Sequence, residues 1–274
     1  MTDGFVGIPG GAYRLGSDRH YPEERPARTV TIAAFAIAAA PVTNNDFARF
    51  VAATNYVTVA ERAGVSAVFI ATAGPVDLDT PSRWWHAIAG ACWHRPEGPG
   101  STIATRPDHP VVHLALADAI AYAEWVSARL PTEAEWEAAA RGGLRDADYA
   151  WGDDLLPGDT QPANFWTGSF PWYHARMAQP GTTPVGHFPR NGYGLADMIG
   201  NVWEWTTTAA PSDATALERR CCAPEETANT LIILKGGSFL CAAEYCQRYR
   251  PAARIAVGAE MTSAHIGFRI ARDS

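Results

Sequence analysis

The sequence predicts an α+β fold with much irregular structure, in one domain that spans residues 1–274. Short strand-like and helix-like patterns alternate along the chain, with no internal repeat and no linker that would divide it. The 24 glycines, 20 prolines and 10 tryptophans are typical of a protein with many turns around aromatic anchors. With 47% hydrophobic and 19% charged residues, the composition is that of a globular protein with a substantial core.

Strand patterns dominate the start of the chain. Residues 5–16 alternate apolar and small residues around a Pro-Gly-Gly sequence, which predicts a hairpin, and residues 30–37 predict a strand. A helix is expected after Thr43, because Asp46 stands three residues further on and completes a helix-start pattern. Residues 64–100 lack periodicity and contain several prolines, so we expect a long irregular loop there.

The second half of the chain carries the clearest helix signal. An apolar stripe over residues 118–128 predicts a helix. The sequence Leu-Pro-Thr-Glu-Ala-Glu-Trp-Glu then predicts another helix, with a capping box formed by Thr132 and Glu135. Two apolar runs nearer the C-terminus predict strands, at 231–234 and 266–270.

Charge and segment composition exclude some partners. Twenty-two Lys and Arg against 29 Asp and Glu give a net charge of -7, and no basic run is present, so nucleic acid is not an expected partner. The N-terminus lacks the pattern of an export signal, and no apolar run approaches the roughly 20 residues that span a bilayer. We therefore expect a cytoplasmic monomer without membrane contact. Five cysteines, an odd number, argue against a complete disulfide framework.

The most informative pair of residues is Cys241 and Cys246. A spacing of five places two side chains on opposite faces of a strand, or about 140° apart on a helix, so the sulfurs converge only if the chain bends between them. Given that bend, two thiolates form a soft site of low coordination number, which selects copper(I) over harder cations. The spacing is also compatible with two ordinary buried cysteines or with a disulfide.

Several motifs resemble those of the formylglycine-generating enzyme family, also called sulfatase-modifying factors. In chain order they are Cys-Trp-His-Arg-Pro-Glu-Gly-Pro (92–99), Arg-Pro-Asp-His-Pro-Val (106–111), Arg-Leu-Pro-Thr-Glu-Ala-Glu-Trp-Glu (129–137), Asn-Gly-Tyr-Gly-Leu (191–195), Gly-Asn-Val-Trp-Glu-Trp (200–205), Lys-Gly-Gly-Ser (235–238) and Gly-Phe-Arg (267–269). The resemblance covers nearly the whole chain. It implies the family fold, a much elaborated C-type-lectin-like α+β domain.

The resemblance also implies a reaction. In active members of the family, the two cysteines hold copper(I), the substrate cysteine adds a further thiolate, and O2 oxidises that cysteine to Cα-formylglycine. By position, Cys241 and Cys246 are the copper ligands and catalytic residues. Ser238 and Trp203 match the pocket for O2 and the substrate thiol, and Tyr245 and Arg254 match substrate-binding positions. The implied partner is an unfolded sulfatase segment with a Cys-x-Pro-x-Arg motif.

Two departures from the family pattern leave other functions open. Ala242 stands where active members commonly have histidine, and the 255–265 segment differs, with His265 in place of an asparagine. One alternative is a copper oxidase of the same fold that acts on a different thiol substrate. The other is a non-catalytic binding or immunity protein on the same scaffold.

Calcium is the second cofactor that the resemblance implies. One family calcium loop matches the side chains of Asp197 and Glu204 together with the carbonyls of Gly200 and Val202, and such hard oxygen ligands suit calcium. The alternative is a turn with solvated acids. A second family site begins at Asn164 and Phe165, but the acid expected downstream is missing, so we expect that site to be weak or absent.

Overall fold

The structure, a computed structural model, describes residues 4–211 and 230–274. Its strands are β1 (Phe5–Ile8), β2 (Gly11–Leu15), β3 (Arg28–Ile32), β4 (Phe35–Ala38), β5 (Val65–Phe69), β6 (Trp85–Ala89), β7 (Trp203–Ala209), β8 (Leu231–Lys235), β9 (Arg254–Gly258), β10 (Ile266–Gly267) and β11 (Ala271–Asp273). Its helices are α1 (Asn44–Thr54), α2 (Val59–Ala63), α3 (Leu116–Trp125) and α4 (Glu133–Ala140). Short strands, short helices and long irregular connections confirm the predicted α+β class. Cys221 and Cys222 fall outside the described residues.

The predicted N-terminal hairpin is wrong. Strand β2 pairs with β3, whereas β1 pairs with β4, so the two ladders are nested and belong to different sheets. The single strand predicted at 30–37 is accordingly broken between Ile32 and Phe35. The two breaks face each other, because a Cβ added to Gly10 would lie 2.9 Å from the Ala34 amide nitrogen. The β1–β2 and β3–β4 segments therefore bend at the same point.

The irregular loop predicted for residues 64–100 is also wrong in part. Strands β5 and β6 pair antiparallel within it, and helix α2 precedes them. Thr58 and Glu61 form a capping box at the start of α2, and Gly64 ends the helix with a φ of 70°. The many prolines hid this hairpin, because they lie in the connection between the strands and after β6.

The central sheet has the strand order β10-β7-β8-β9. Strand β10 runs parallel to β7 and carries the chain towards β11, which pairs with β4 of the N-terminal sheet. The C-terminal strand thus completes the N-terminal sheet, and the start of β7 lies beside the end of β8. Among the described residues, none of the helices combines the length and the apolar character that a bilayer crossing requires.

Both helix caps that the sequence predicted are present. The Thr43 hydroxyl accepts a hydrogen bond from the Asp46 amide at the start of α1. At the start of α4, Thr132 and Glu135 form the reciprocal capping box. Substituting a cap residue by alanine typically costs about 1 kcal/mol. The sequence could predict both caps because each is formed by residues only three positions apart.

A buried histidine makes the fold sensitive to acid. The ring of His113 lies between the Ser66 hydroxyl, 2.7 Å from Nδ1, and the Pro96 carbonyl, 2.9 Å from Nε2. The carbonyl fixes the proton on Nε2, and burial lowers the pKa of His113 to about 4.

Lowering the pH from 8 to 5 will therefore weaken the fold through His113. Between its unfolded pKa of about 6.5 and its folded value, the unfolded state binds one more proton, so stability falls as pH falls. This group alone contributes a loss of about 2 kcal/mol. Urea unfolding of the native protein and of the variant His113→Asn, at both pH values, measures this loss of stability. Asparagine is chosen because it tolerates the φ of 62° at this position. Equal pH dependence in the two proteins would contradict the assignment.

Candidate active site

The loop after β8 brings the first cysteine into place. Strand β8 ends at Lys235, and two glycines with positive φ values then turn the chain towards Ser238. A Cβ added to Gly237, whose φ is 73°, would lie 2.6 Å from the Arg248 carbonyl oxygen. The loop can therefore pass against the backbone of residue 248 only because position 237 lacks a side chain. That close approach sets Cys241 opposite the segment that carries Cys246.

The required bend between the two cysteines is present. The Ala242 carbonyl accepts hydrogen bonds from the amides of Tyr245, at 3.1 Å, and Cys246, at 2.8 Å, which folds the intervening residues into a tight turn. The two sulfurs lie 3.6 Å apart, and each cysteine is 1% exposed. A disulfide would bring the sulfurs to about 2.05 Å, so the structure holds two separate thiols. Two sulfurs that converge in a buried turn fit a soft, low-coordinate metal ion.

Donor groups surround the sulfurs. The Ser238 amide lies 3.5 Å from the Cys241 sulfur, and the Arg248 guanidinium lies 3.7 Å from the Cys246 sulfur. Arg248 is held in turn by the Glu23 carboxylate and stacks 4.1 Å from the centre of the Tyr21 ring. A fixed positive charge next to a sulfur stabilises thiolate over thiol, which is the form that binds metals.

Ser238 and Trp203 both lie at this end of the sheet. The Ser238 hydroxyl is buried and accepts a hydrogen bond from the Leu240 amide at 3.3 Å. Trp203 begins β7, and its backbone amide donates to the His265 carbonyl at 2.8 Å. The Trp203 indole nitrogen is buried and has no hydrogen-bond partner within the described part of the chain.

His265 is a site residue that the sequence marked only as a departure from the family pattern. Its ring is fully buried and packs 4.7 Å from the ring of Trp85, and neither ring nitrogen has a partner among residues 4–211 and 230–274. Burial lowers its pKa to about 3; the nearby Cys246 opposes that shift and His113 adds to it. A neutral imidazole near Cys246 with two unsatisfied nitrogens is an unusual feature. Each buried polar atom without a hydrogen bond costs about 1–3 kcal/mol of folding free energy.

An aromatic wall flanks the thiols on one side. It is a buried cluster whose members are Trp84, Trp85, Trp166, Phe170, Phe239, Leu240 and Ala242. The half-buried Tyr245 stacks on Phe170 with ring centres 4.8 Å apart and meets Trp84 edge-on at 5.4 Å. The sequence missed this wall, because its members come from three segments that have no common periodicity. Tyr245, which is half-buried and packs against this wall, stays a predicted substrate contact.

Arg254 does not join this group in the contacts that the structure gives. Its guanidinium lies 3.0 Å from the Glu133 carboxylate at the start of α4, beside the buried Lys235 ammonium. Glu133 thus matches the charge of Arg254, and the substrate-binding role of Arg254 stays a prediction. Binding a substrate carboxylate there would require breaking a largely buried ion pair.

The predicted calcium loop fits a cation only in part. Asp197 is buried, and burial raises its pKa, a shift that a bound cation would relieve; the Gly186 amide and Arg269 oppose it. Both oxygens of Glu204, however, already face the Arg269 guanidinium, at 2.6 and 2.8 Å, and one also accepts from the Trp136 indole. The Glu204 charge is therefore matched without calcium. A calcium ion held by Asp197, Glu204 and the carbonyls of Gly200 and Val202 stays a prediction.

At the second calcium position, in contrast to Glu204, a side-chain oxygen is left without a hydrogen-bond partner in the described residues. The Asn164 side-chain oxygen is buried without a hydrogen-bond partner in the described residues, while its amide nitrogen donates to the Gly181 carbonyl at 3.0 Å. An orphaned, buried oxygen beside the Phe165 backbone is a suitable hard ligand. That this second calcium site is weak or absent, as the sequence predicts, stays a prediction.

Comparison with known proteins agrees with these motifs. The family model described as "Sulfatase-modifying factor enzyme 1-like domain" matches residues 1–274. The chain is 51% identical to the formylglycine-generating enzyme of Mycobacterium tuberculosis (strain ATCC 25618 / H37Rv), over 100% of this chain and 99% of that protein. It is 48% identical to the formylglycine-generating enzyme of Thermomonospora curvata, over 100% and 94% of the two chains.

A solved structure supports the fold. PvdO from Pseudomonas aeruginosa aligns with a TM-score of 0.67 and 25% identity, over 98% of this chain and 94% of that one. The predicted fold class is thus confirmed at the level of architecture as well as of motifs. With the family model matching from end to end and two enzymes about half identical to it, this chain belongs to the family of sulfatase-modifying factor, or formylglycine-generating, enzymes.

Proposed function

We propose that this protein oxidises a peptidyl cysteine to Cα-formylglycine, using O2 and a copper(I) ion held by Cys241 and Cys246. The observation that carries the proposal is the 3.6 Å approach of two buried, unlinked thiols. The similarity to formylglycine-generating enzymes supports the reaction type. The expected substrate is a Cys-x-Pro-x-Arg segment of an unfolded sulfatase. The metal, when bound, supplies a soft centre that takes up the substrate thiolate and activates O2.

The protein's own groups have separate roles in this proposal. Cys241 and Cys246 hold the metal as thiolates, and the Arg248 guanidinium, which is paired with Glu23, donates to the Cys246 sulfur at 3.7 Å. The aromatic wall excludes water, which prevents hydrolytic and proton-leak side reactions at the site. Ser238 and Trp203 border the space for O2 and the substrate thiol. The substrate Cβ loses two electrons and its sulfur leaves as hydrogen sulfide. O2 takes up these two electrons and two more from an external thiol reductant, so that one oxygen atom enters the aldehyde and the other leaves as water.

A peptide assay tests the proposal directly. Copper-loaded protein, O2, a thiol reductant and a peptide containing Cys-x-Pro-x-Arg should yield a product whose mass has changed from thiol to aldehyde, and which reacts with an aldehyde-specific hydrazide. The matched control is the same peptide with serine in place of cysteine, which should remain unchanged. Absence of aldehyde from a protein with confirmed copper at both sulfurs would contradict the sulfatase assignment.

One observation favours a second candidate, a copper oxidase acting on a different thiol. His265 lies close enough to Cys246 for the two to interact electrostatically. Its unsatisfied ring nitrogens offer a substrate hydrogen-bonding groups that an asparagine would offer differently. Copper binding without activity on the Cys-x-Pro-x-Arg peptide, but with turnover of another thiol, would favour this candidate. A non-catalytic scaffold is the weaker alternative, given the similarity to enzymes.

A further inference from the structure

A second group of potential metal-ligand atoms lies away from β8 and its loop. Glu61 in helix α2 meets Cys92 and His94, which follow strand β6. One ligand atom from each of the three side chains lies within 4.8 Å of the other two. The Cys92 sulfur lies 3.5 Å from His94 Nδ1, and that nitrogen lies 3.6 Å from a Glu61 oxygen. These residues take no part in the proposed oxidation.

Two of the three ligand-atom separations are close to those around a tetrahedral zinc ion. The third, between the Cys92 sulfur and a Glu61 oxygen, is within 4.8 Å. The His94 ring must also turn on binding, because its Nε2 lies only 3.8 Å from the sulfur. With Zn–S of about 2.3 Å, Zn–N of about 2.0–2.1 Å and Zn–O of about 2.0–2.2 Å, tetrahedral angles place sulfur and nitrogen about 3.6 Å apart, and nitrogen and oxygen about 3.4 Å apart. The observed separations of 3.5 and 3.6 Å lie close to both values. The set of one sulfur, one imidazole nitrogen and one carboxylate oxygen is also the mixture that zinc accepts, whereas calcium and magnesium prefer oxygen alone.

The backbone and neighbouring groups orient all three side chains. Cys92 and Arg95 exchange backbone hydrogen bonds at 3.2 and 3.0 Å, which forms a tight turn that presents Cys92 and His94 on one side. The second Glu61 oxygen accepts from the Thr58 amide at 2.9 Å and from its hydroxyl at 2.8 Å, so the capping box of α2 aims the other oxygen at His94. Residues that orient ligands in this way are typical of metal sites.

We propose that Glu61, Cys92 and His94 bind a divalent transition metal, with zinc as the ion that their chemistry favours. Binding removes the proton of the Cys92 thiol to solvent and forms a sulfur–metal bond, with no change in oxidation state. The side chain of Cys92 is buried, whereas those of His94 and Glu61 are 36% and 22% exposed, so water has access to the fourth position. The ion would fasten α2 to the Cys92–Arg95 turn.

Metal titration with two sets of variants tests this site independently of the copper pair. The native chain and a Cys241→Ser/Cys246→Ser double variant should each retain about one zinc ion at this site after dialysis against limiting zinc. Cobalt(II) in its place should give a thiolate-to-metal charge-transfer band. Adding Cys92→Ser to the Cys241→Ser/Cys246→Ser variant should abolish that band and weaken binding at this site by more than the roughly 10–100-fold that follows loss of an orienting residue alone.

Two further variants keep the result interpretable. His94→Ala alters a partly exposed side chain, so the fold should survive, and it should weaken zinc binding as Cys92→Ser does. Glu97→Gln is the matched control: it removes a carboxylate from the same loop, but one that is paired with Arg106 at 2.6 Å, and zinc binding should be unchanged. A cobalt–thiolate band that is absent from the Cys241→Ser/Cys246→Ser variant, or that persists when Cys92→Ser is added to that variant, would overturn the proposal. Neither result depends on peptide oxidation.

Discussion

Replacing either Cys241 or Cys246 by serine will lower the rate of aldehyde formation by more than roughly 100-fold. Even loss of a group that only orients a metal ligand typically costs 10–100-fold, and here a ligand itself is removed. A serine hydroxyl is a hard donor that stays protonated near neutral pH, so it cannot replace a thiolate on copper(I). The rate should be measured by mass spectrometry of the peptide, and copper(I) affinity by competition with a soft chelator.

The exposed residue Ala243 supplies the matched control, because it lies in the turn between the two cysteines. Ala243→Ser adds the same hydroxyl group to that turn without touching a sulfur, and we expect native copper affinity and native rate. Serine is close to cysteine in size, so both cysteine variants should remain folded. A cysteine variant that keeps its rate while losing copper would remove the metal from the mechanism.

Local signals in the sequence gave the most reliable predictions. The caps at Thr43 and Thr132 are formed by residues three positions apart, and both are present. The bend between Cys241 and Cys246 could be stated as a requirement from spacing alone, because strand and helix geometries both separate the two side chains. What spacing could not supply was the cause of the bend, which is the pair of amides that converge on the Ala242 carbonyl.

Contacts between distant segments were the ones that sequence reasoning missed. The nested pairing of β1 with β4 and of β2 with β3 depends on the close approach of Gly10 to the backbone of residue 34, which no periodicity reveals. The site at Glu61 was missed for the same reason, since its ligands are about 30 positions apart in the sequence. Charge counting also could not show that Glu204 has a guanidinium partner 65 residues away, so the calcium site stays a prediction.

That guanidinium leads to the largest stability effect that we expect. Arg269→Met should lower the free energy of unfolding by about 3–5 kcal/mol, because it leaves the fully buried Glu204 carboxylate without its cation. Arg269 also donates to the carbonyls of Ala38, Ala196 and Asp197, so its loss removes the hydrogen bonds that link β4 to the predicted calcium loop. Urea unfolding of the two proteins at neutral pH measures the difference.

Substitutions of Glu204 distinguish its role as the ion-pair partner of Arg269 from a role as a calcium ligand. Glu204→Gln should also be destabilising, and the Glu204→Gln/Arg269→Met double variant should be more stable than the sum of the two losses predicts, since neither member is then a buried unpaired charge. If Glu204 instead serves calcium, adding calcium to Arg269→Met should recover stability as ligand binding does, and Glu204→Gln should abolish that recovery. Additive losses without a calcium effect would contradict both roles. The result matters for the thiols because Trp136, which donates to Glu204, packs beneath Gly236 at the start of their loop.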